Sequence, residues 1–408
     1  MDTNEVKEIG ECVSIILKAN QRVGQALWEI TKNYIADKVS RNKDLKAAVS
    51  CIENVYEADV VVVEELCGLL DLNAMTITLN RDQAVVIIGR VISEIYNVSP
   101  KVAQNLWELL DRERLAATLS RAGNIEDSVE CLGTIQSANP GMSRCLCDLL
   151  DLHRLALTLD ESEDLANIGK YVAMVHEIDR EVGVNLLLLM DKSKLAGKLS
   201  HPKQLWDDQS CIVDIGNCDP DFGCIRAIFK VNKKMGLQLW SLVDKTKLAS
   251  ELSKRGSGSI VESYIRDLHG TESDIAEDFC ALLDLNRLAK RFGEKEDPSF
   301  LGSCISMLLL ANPSAARELW RLIDKHCLIG RLFDDVSDGI ECISGICAAD
   351  PIIAEEFCSL LNVHELAAAL NETSDTTESD KLLKAIGEVN PEVHKELLKR
   401  LSEGKNGA

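Results

Sequence analysis

One short pattern of apolar and polar residues recurs along most of the chain. The segment LWELLD at residues 106–111 returns as LCDLLD from residue 146, LWSLVD from residue 239 and LWRLID from residue 319. Longer apolar stretches lie between these segments, and in one of them Val129, Leu132 and Ile135 have the spacing of a single helix face. This pattern predicts a chain that is helical throughout.

The second residue of the segment, which we call the Trp/Cys position, shows how regular the pattern is. Its successive occurrences are separated by 39, 40, 40, 40, 53, 40, 40, 38 and 40 residues. Because a tandem repeat produces such a series, we expect about ten units of about 40 residues. The Trp/Cys position is occupied by Trp28, Cys67, Trp107, Cys147, Leu187, Trp240, Cys280, Trp320, Cys358 and Leu398.

Two polar positions predict where helices begin in each unit. Four residues after the Trp/Cys position stands a residue whose side-chain oxygen can cap a new short helix by accepting backbone N–H bonds. Seven residues before it, five units have a proline preceded by Ser, Asn or Asp, as is typical of a helix start. Each unit therefore contains a short helix, a second helix and a third helix, in that order. The predicted caps of the short helices are Asp71, Asp111, Asp151, Asp191, Asp244, Asp284, Asp324, Asn362 and Ser402, with Thr31 one residue early in the first unit.

These repeats predict an all-α chain, a right-handed α-α superhelix (solenoid) of about ten three-helix repeats, in which each unit is buried against its neighbours. Residues 1–402 are expected to form this single solenoid, with residues 1–31 as an N-terminal capping half-repeat and residues 32–402 as nine repeats. The fifth unit has 13 extra residues, which places an insertion within about residues 199–224. Residues 403–408 are expected to form a flexible tail.

The charge of the chain narrows the classes of partner. The formal net charge is −21 and the isoelectric point is about 4.8. Nucleic acids and anionic membranes are bound through clustered Lys and Arg, so neither is expected as a partner. A protein or peptide partner, and a basic one in particular, suits this charge. The sequence leaves the oligomeric state open.

The cysteines and the apolar runs bear on the cellular location. The start MDTNEVKEIG has no basic segment followed by an apolar run, so the 15 cysteines are expected to be reduced thiols of a cytoplasmic protein. No apolar run approaches the length that spans a bilayer, and no membrane insertion is expected. A second recurring cysteine position, predicted to hold small buried thiols, comprises Cys12, Cys51, Cys131, Cys304 and Cys342.

A 40-residue unit of one short and two longer helices resembles the armadillo/HEAT class of α-solenoid proteins, and the resemblance covers residues 1–402. In armadillo proteins the third helix of each unit lines a concave groove, where a ladder of Asn side chains pairs with the backbone of an extended peptide. Two residues before the Trp/Cys position, Asn105 and Asn185 match that residue type, and Gln238 is similar. Glu or Asp occupies the equivalent place in other units, so a mixed polar and acidic groove is predicted.

The resemblance implies that the chain is a protein-binding scaffold whose third helices contact a basic or extended polypeptide. The candidate partner-binding residues are Glu64, Glu65, Gln104, Asn105, Glu108, Asp148, Asn185, Gln238, Glu277, Asp278, Glu318, Glu355 and Glu356. An alternative is a regulatory or sensing repeat subunit of a larger signalling assembly.

Enzymatic chemistry finds little support in the sequence. The phosphate-loop pattern GxxxxGK[ST], the zinc-protease pattern HExxH and the hydrolase pattern GxSxG are all absent. We therefore expect no enzyme activity and no cofactor. The other alternative is a metal-binding HEAT-like enzyme that uses the insertion in the fifth unit. Its weak metal-ligand candidates, which lack the paired CxxC spacing of structural zinc sites, are His201, Cys211, Cys218 and Cys224.

Overall fold

The computed structural model describes residues 5–81, 85–121, 125–200, 223–255, 258–294, 297–372 and 376–405. These ranges contain 28 helices and no strand, which confirms the all-α prediction. The chain divides into two compact units, one comprising Met1–Asp191 and Lys230–Lys233, the other Lys192–Phe229 and Lys234–Ala408.

The first unit begins with two helices and continues as a recurring set of three. Its short, second and third helices follow one another in the order that the sequence predicts. The helices are α1 (Glu5–Ala19), α2 (Gln21–Ser40), α3 (Leu45–Ala58), α4 (Val60–Leu69), α5 (Leu72–Leu79), α6 (Val85–Val98), α7 (Pro100–Leu109), α8 (Arg112–Arg121), α9 (Ile125–Ala138), α10 (Pro140–Cys147), α11 (Leu152–Glu161), α12 (Leu165–Ile178) and α13 (Arg180–Leu189).

The second unit shows the same order of short, second and third helices. The helices that lie wholly or mainly in it are α14 (Lys192–Leu199), α15 (Cys224–Val231), α16 (Lys233–Leu242), α17 (Lys245–Arg255), α18 (Gly258–Thr271), α19 (Ser273–Cys280), α20 (Leu285–Glu294), α21 (Pro298–Ala311), α22 (Pro313–Leu322), α23 (Lys325–Arg331), α24 (Val336–Ala349), α25 (Pro351–Leu360), α26 (Val363–Glu372), α27 (Thr376–Val389) and α28 (Pro391–Lys405).

The predicted caps of the short helices are confirmed at seven positions. In each, a side-chain oxygen accepts a backbone N–H two or three residues later, as Asp111 does from Arg114 at 2.9 Å. The bond satisfies one of the free donors of the first turn. The seven caps are Asp71, Asp111, Asp151, Asp244, Asp284, Asp324 and Asn362.

Two of the predicted caps are wrong, because the helix continues through them. Thr31 lies inside α2, where its hydroxyl donates to the Leu27 carbonyl at 2.9 Å. Ser402 lies inside α28 and donates to the Lys399 carbonyl at 2.6 Å. A hydroxyl that bonds back to the preceding turn does not interrupt a helix. Helix α28 extends to Lys405.

The third helices begin where the sequence predicts. The five prolines seven residues before the Trp/Cys position are the first residues of α7, α10, α22, α25 and α28. The Asn139 side chain caps α10, whereas Ser99 makes no side-chain bond at the start of α7. Glu272 precedes α19 and is not one of the residue types that usually cap a helix. Its side chain likewise makes no bond at the start of α19.

The Trp/Cys position is buried in every unit except the last. Leu398 is 46 % exposed and the preceding Leu397 is fully buried instead. The shift of one residue coincides with the uninterrupted course of α28, which also removes the predicted cap at Ser402. In this final helix the 40-residue spacing therefore does not identify the buried position.

Close contact between successive second helices explains the second cysteine position. A Cβ atom on Gly10 of α1 would lie 2.7 Å from the Cα of Cys51, and one on Gly302 would lie 2.8 Å from the carbonyl oxygen of Cys342. Only a glycine facing a small residue allows this approach. Burial raises the pKa of the Cys51 thiol to about 12. The thiol therefore stays protonated and contributes to packing rather than to reactivity. Four of the five predicted thiols are buried, and Cys12 is exposed.

A polar contact joins successive short helices at six positions. The backbone N–H of the cap residue donates to a side-chain oxygen near the end of the preceding short helix, as from Asp151 to Ser120 Oγ at 2.9 Å. The same serine hydroxyl donates to the Ala116 carbonyl of its own helix at 2.8 Å. We call these bonds the cap ladder. Its members are Asp71 to Ser40, Asp111 to Asn80, Asp151 to Ser120 and Asp191 to Asp160 in the first unit, and Asp244 to Ser200 and Asp284 to Ser253 in the second.

We predict that Ser120→Ala lowers the free energy of unfolding by about 1 kcal/mol, because the Asp151 N–H loses the acceptor that the buried Ser120 hydroxyl provides. The measurement is urea unfolding followed by circular dichroism. Ser137→Ala is the matched control, since the exposed Ser137 hydroxyl also donates to the carbonyl four residues earlier but lies outside the ladder. Equal effects of the two substitutions would contradict a role for the ladder.

Candidate functional site

Each third helix has one face against the core and one face in solvent. In α7, Ala103, Leu106 and Trp107 are buried, whereas Gln104, Asn105, Glu108 and Leu109 are exposed. Positions that differ by one, four and five residues lie on the same side of a helix. The exposed residues therefore form one stripe on each third helix, which we call the third-helix face.

All thirteen candidate partner-binding residues lie on this face or at its end. Eleven are exposed, and Glu65 and Glu318 are half-buried. The first unit contributes Glu64, Glu65, Gln104, Asn105, Glu108, Asp148 and Asn185, on α4, α7 and α13 and directly after α10. The second unit contributes Gln238, Glu277, Asp278, Glu318, Glu355 and Glu356, on α16, α19, α22 and α25.

Contacts between neighbouring third helices hold the face together within each unit. In the second unit the ring of Trp240 meets that of Phe279 edge-on at 5.8 Å, and Trp320 meets Phe357 in the same way at 5.6 Å. In the first unit the Trp28 indole N–H of α2 reaches a carboxylate of α4. The tryptophans of the Trp/Cys position thus pack against the next third helix as well as the core.

Glu65 is one of the candidates, and it already has internal partners. Its carboxylate accepts from Trp28 Nε1 at 2.8 Å and from Lys32 Nζ at 2.5 Å. The hydrogen bond from Lys32, followed by that from Trp28, holds the pKa of Glu65 below its usual value. This residue therefore helps to join α2 to α4.

Glu356 repeats the arrangement in the second unit. Its carboxylate accepts from Trp320 Nε1 at 2.8 Å, and Lys325 Nζ lies 3.4 Å from the other oxygen. The Lys325 ammonium also lies 5.1 Å from the centroid of the Trp320 ring, a cation–π distance. A tryptophan, a lysine four or five residues later and a glutamate in the next unit are the sequence signal of this contact.

Three arginines of the third helices are paired with carboxylates. Arg144 lies 2.8 Å from Asp179, and Arg321 donates through Nε and one terminal nitrogen to the two carboxylate oxygens of Glu318, at 2.8 and 2.7 Å. Arg317 lies 3.0 Å from Asp350. Since these cations are neutralised within the chain, the remaining carboxylates give the face an acidic excess.

A column of exposed apolar side chains on the same face was not anticipated from the sequence. It lies two residues after the Trp/Cys position, where Leu109 is 44 % exposed beside the buried Leu110. The signal in the sequence is the paired leucine of LWELLD, because a helix end can bury only one of two adjacent residues. We call it the leucine column. Its exposed members are Ile30, Leu69, Leu109, Leu149 and Leu189 in the first unit and Leu242 and Leu282 in the second, where Leu322 and Leu360 are half-buried.

One of the four proposed metal ligands lies within the described residues. His201, Cys211 and Cys218 lie outside the described residues, and Cys224 is buried in α15. Within the described ranges, no three His, Cys, Asp or Glu side chains converge as metal ligands. None of the described helices combines the length and the apolar character that a membrane-spanning segment needs.

A strongly shifted carboxylate lies away from the third-helix face. Burial, together with a hydrogen bond and repulsion from Asp297, raises the pKa of Asp338 to about 6. Asp335 and Glu341 add smaller repulsions. Asp297 caps α21 and Asp335 caps α24, so capping brings these carboxylates together. Shifted groups are enriched at functional sites, but crowding of two helix starts accounts for this one.

We predict that Asp338→Asn raises the free energy of unfolding by about 1 kcal/mol at pH 7.5, a value discounted for partial exposure. The folded chain binds more protons than the unfolded chain between the unfolded pKa and the folded pKa of about 6. Native stability therefore falls as the pH rises through this window. The gain from Asp338→Asn should vanish near pH 4, and the exposed Asp334→Asn should show no such pH dependence. Urea unfolding across this pH range is the measurement, and a constant gain would contradict the assignment.

We also predict that Glu356→Ala lowers the free energy of unfolding by about 1 kcal/mol, because the Trp320 indole N–H loses its acceptor. Glu355→Ala is the control on the same helix, where an exposed surface change should cost less than about 0.5 kcal/mol. Both variants are compared with the native chain by urea unfolding. If Glu356→Ala behaved like the control, the contact would contribute nothing to stability.

A comparison with models of protein families found no match, and a search of curated proteins also found none.

Proposed function

We propose that the chain is a protein-interaction scaffold that binds a partner polypeptide along the third-helix face. The observation that carries the proposal is the leucine column. Single exposed leucines are ordinary on protein surfaces. Here the same position of the repeat is apolar and exposed in successive units. The fold does not need this position to be apolar, since the adjacent residue is the one that is buried. A recurring exposed apolar row beside polar groups is typical of a binding surface.

The partner that suits this face is an extended or basic polypeptide. The leucine column offers apolar contact at intervals, and Asn105 and Asn185 offer amide groups to a peptide backbone. The acidic excess left by the internal pairing of Arg144, Arg317 and Arg321 favours Lys or Arg in the partner. These features support the peptide-groove role that the armadillo/HEAT resemblance implies.

The finer architecture and location belong to the same proposal. We take the array to be a right-handed superhelix of about ten repeats, in which each layer advances the groove by the 8–10 Å of helix packing. A scaffold of this kind needs no cofactor and performs no reaction. Its expected location is the cytoplasm.

The proposal predicts that a photo-crosslinking amino acid at position 109 captures a partner polypeptide in native lysate. The same amino acid at position 157 is the matched control, because Leu157 is at least as exposed but lies on the short helix α11. Captured proteins are identified by mass spectrometry. Adding Asn105→Ala and Asn185→Ala should reduce capture at position 109 by about tenfold, the loss expected from several polar contacts.

Two outcomes would contradict this assignment. One is equal capture of the same partner from positions 109 and 157. The other is undiminished capture by the Asn105→Ala, Asn185→Ala variant while circular dichroism shows it folded. Either result would move the binding surface away from the third-helix face.

A further inference from the structure

Successive second helices contact each other through two pairs of positions. We count these positions from the second cysteine position. A Cβ atom on Gly302, two residues before that position in α21, would lie 2.8 Å from the carbonyl oxygen of Cys342 in α24. Ser306, two residues after it, donates from Oγ to the carbonyl of Gly345 at 3.2 Å, and Gly345 follows Cys342 by three residues. Each second helix therefore has one side toward the preceding repeat and another side toward the following repeat.

Helix α1 exposes the side that its counterparts turn toward the preceding repeat. Cys12 at the second cysteine position of α1 is exposed, whereas the cysteines at this position in α3, α9, α21 and α24 are buried. Ile15, three residues later, is 65 % exposed. Gly10 and Ser14, on the side toward the following repeat, are buried, and Gly10 lies against Cys51 of α3. Within the described residues, the first repeat is therefore packed on one side.

Helix α2 shows the same contrast with later third helices. Val23 is 56 % exposed, whereas Val62 at the equivalent place in α4 is 3 % exposed. Leu27 is half-buried, whereas Leu66 in α4 is fully buried. These side chains and those of α1 form an apolar surface at the N-terminal end of the array, which we call the end face. Its members are Cys12, Ile15, Val23 and Leu27.

The last second helix, α27, ends the array with charged side chains. Asp380 and Lys384 stand at the places that Gly302 and Ser306 hold in α21, on the side toward a following repeat. Both are exposed, and the Lys384 ammonium lies 3.9 Å from Glu388. The terminal repeats of a solenoid need a polar outer face for solubility. The last repeat has such a face, whereas the end face of the first repeat is apolar.

The difference between the two ends limits what can cover the end face. A head-to-tail contact between copies of the chain would press Asp380 and Lys384 against apolar side chains, and burying a charge without a partner is costly. A contact of the end face with itself instead buries apolar surface on both copies. Such a self-contact has two-fold symmetry and closes at a dimer.

We propose that the end face binds a second copy of the chain, in a two-fold symmetric dimer in which the α1 helices of the two copies pack antiparallel. Charges at the edge of the end face favour this arrangement. Glu8 near the start of α1 and Arg22 near the start of α2 are exposed, and neither has an ion pair among the described residues. Since α2 begins where α1 ends, antiparallel packing directs Glu8 of each copy toward Arg22 of the other.

The size of the end face is sufficient for a dimer. Helices α1 and α2 have 15 and 20 residues. At about 1.5 Å per residue and about 10 Å of width, they cover roughly 500 Å² on each copy. The total of about 1,000 Å² is at the lower limit for a specific interface. The leucine column is exposed in repeats that have neighbours on both sides, so it lies outside the end face and the inference does not depend on a partner bound there.

The test is sedimentation of the full chain over a range of concentrations. We expect the native chain to be mainly dimeric at roughly 50 µM, as an interface at the lower size limit allows. Ile15→Glu should raise the dimer dissociation constant about tenfold or more, because the dimer would bury a carboxylate without a partner. Leu157→Glu is the matched control, since Leu157 is 60 % exposed on the short helix α11 of the same unit. It should leave the dissociation constant within about twofold of the native value.

Crosslinking of the native chain locates the interface without a destabilising substitution. Cys12 and Cys145 are the exposed cysteines among the described residues. A bifunctional maleimide that spans about the 8–10 Å between packed helices should join Cys12 of the two copies. The covalent dimer should form with Cys145→Ser and be lost with Cys12→Ser.

Three results would overturn the inference. One is a native chain that stays monomeric up to roughly 100 µM, which would leave the end face to a partner of another sequence. The second is an equal dissociation constant for Ile15→Glu and Leu157→Glu. The third is a covalent dimer joined through Cys145 instead of Cys12. If circular dichroism shows Ile15→Glu unfolded, Val23→Ser replaces it, and unchanged dimerisation of that variant would also count against the end face.

Discussion

At the start of a short helix, free backbone N–H groups need hydrogen-bond acceptors. The preceding short helix packs over this point and can supply one. The capping aspartate accepts N–H groups of its own first turn, but its own N–H needs an acceptor from outside. In the cap ladder one buried hydroxyl, such as that of Ser120 or Ser253, accepts this N–H and donates to a carbonyl of its own helix. Because one oxygen serves two layers, it fixes the position of one short helix against the next. The Trp/Cys position of each third helix lies four residues before the cap position, so the register of the third helices follows from the same bond.

Helix boundaries could be predicted from the sequence because caps and prolines act within three or four residues. The helix starts at Asp111 and Pro100 can therefore be predicted without knowledge of the fold. The failures at Thr31 and Ser402 have one cause, since a hydroxyl can cap a new helix or bond back inside a continuing one. The two bonding patterns use the same side chain, so the residue type alone does not show which one forms.

The exposed side of each third helix could be predicted from the sequence, whereas the contacts made by its individual residues could not. Periodicity alone shows which side of α7 faces solvent. The bond from Trp28 to Glu65 joins residues 37 positions apart, and that from Trp320 to Glu356 joins residues 36 apart. Such partners are known only once the stacking of units is known, so both glutamates were assigned to a partner although each already binds a tryptophan. The exposure of the leucine column could not be predicted either, because two adjacent leucines in an apolar segment do not show which of them is buried.

Net charge misleads about a repeat surface because its influence is screened over about 8–10 Å at ordinary ionic strength, roughly the thickness of one layer. A partner therefore responds to the charges of the helices it touches. On the third helices of the second unit, Arg317 and Arg321 are paired with carboxylates and leave an acidic excess. The net charge of the chain therefore does not give the charge of any one surface, which follows from the residues that recur at that helix position and from their pairing.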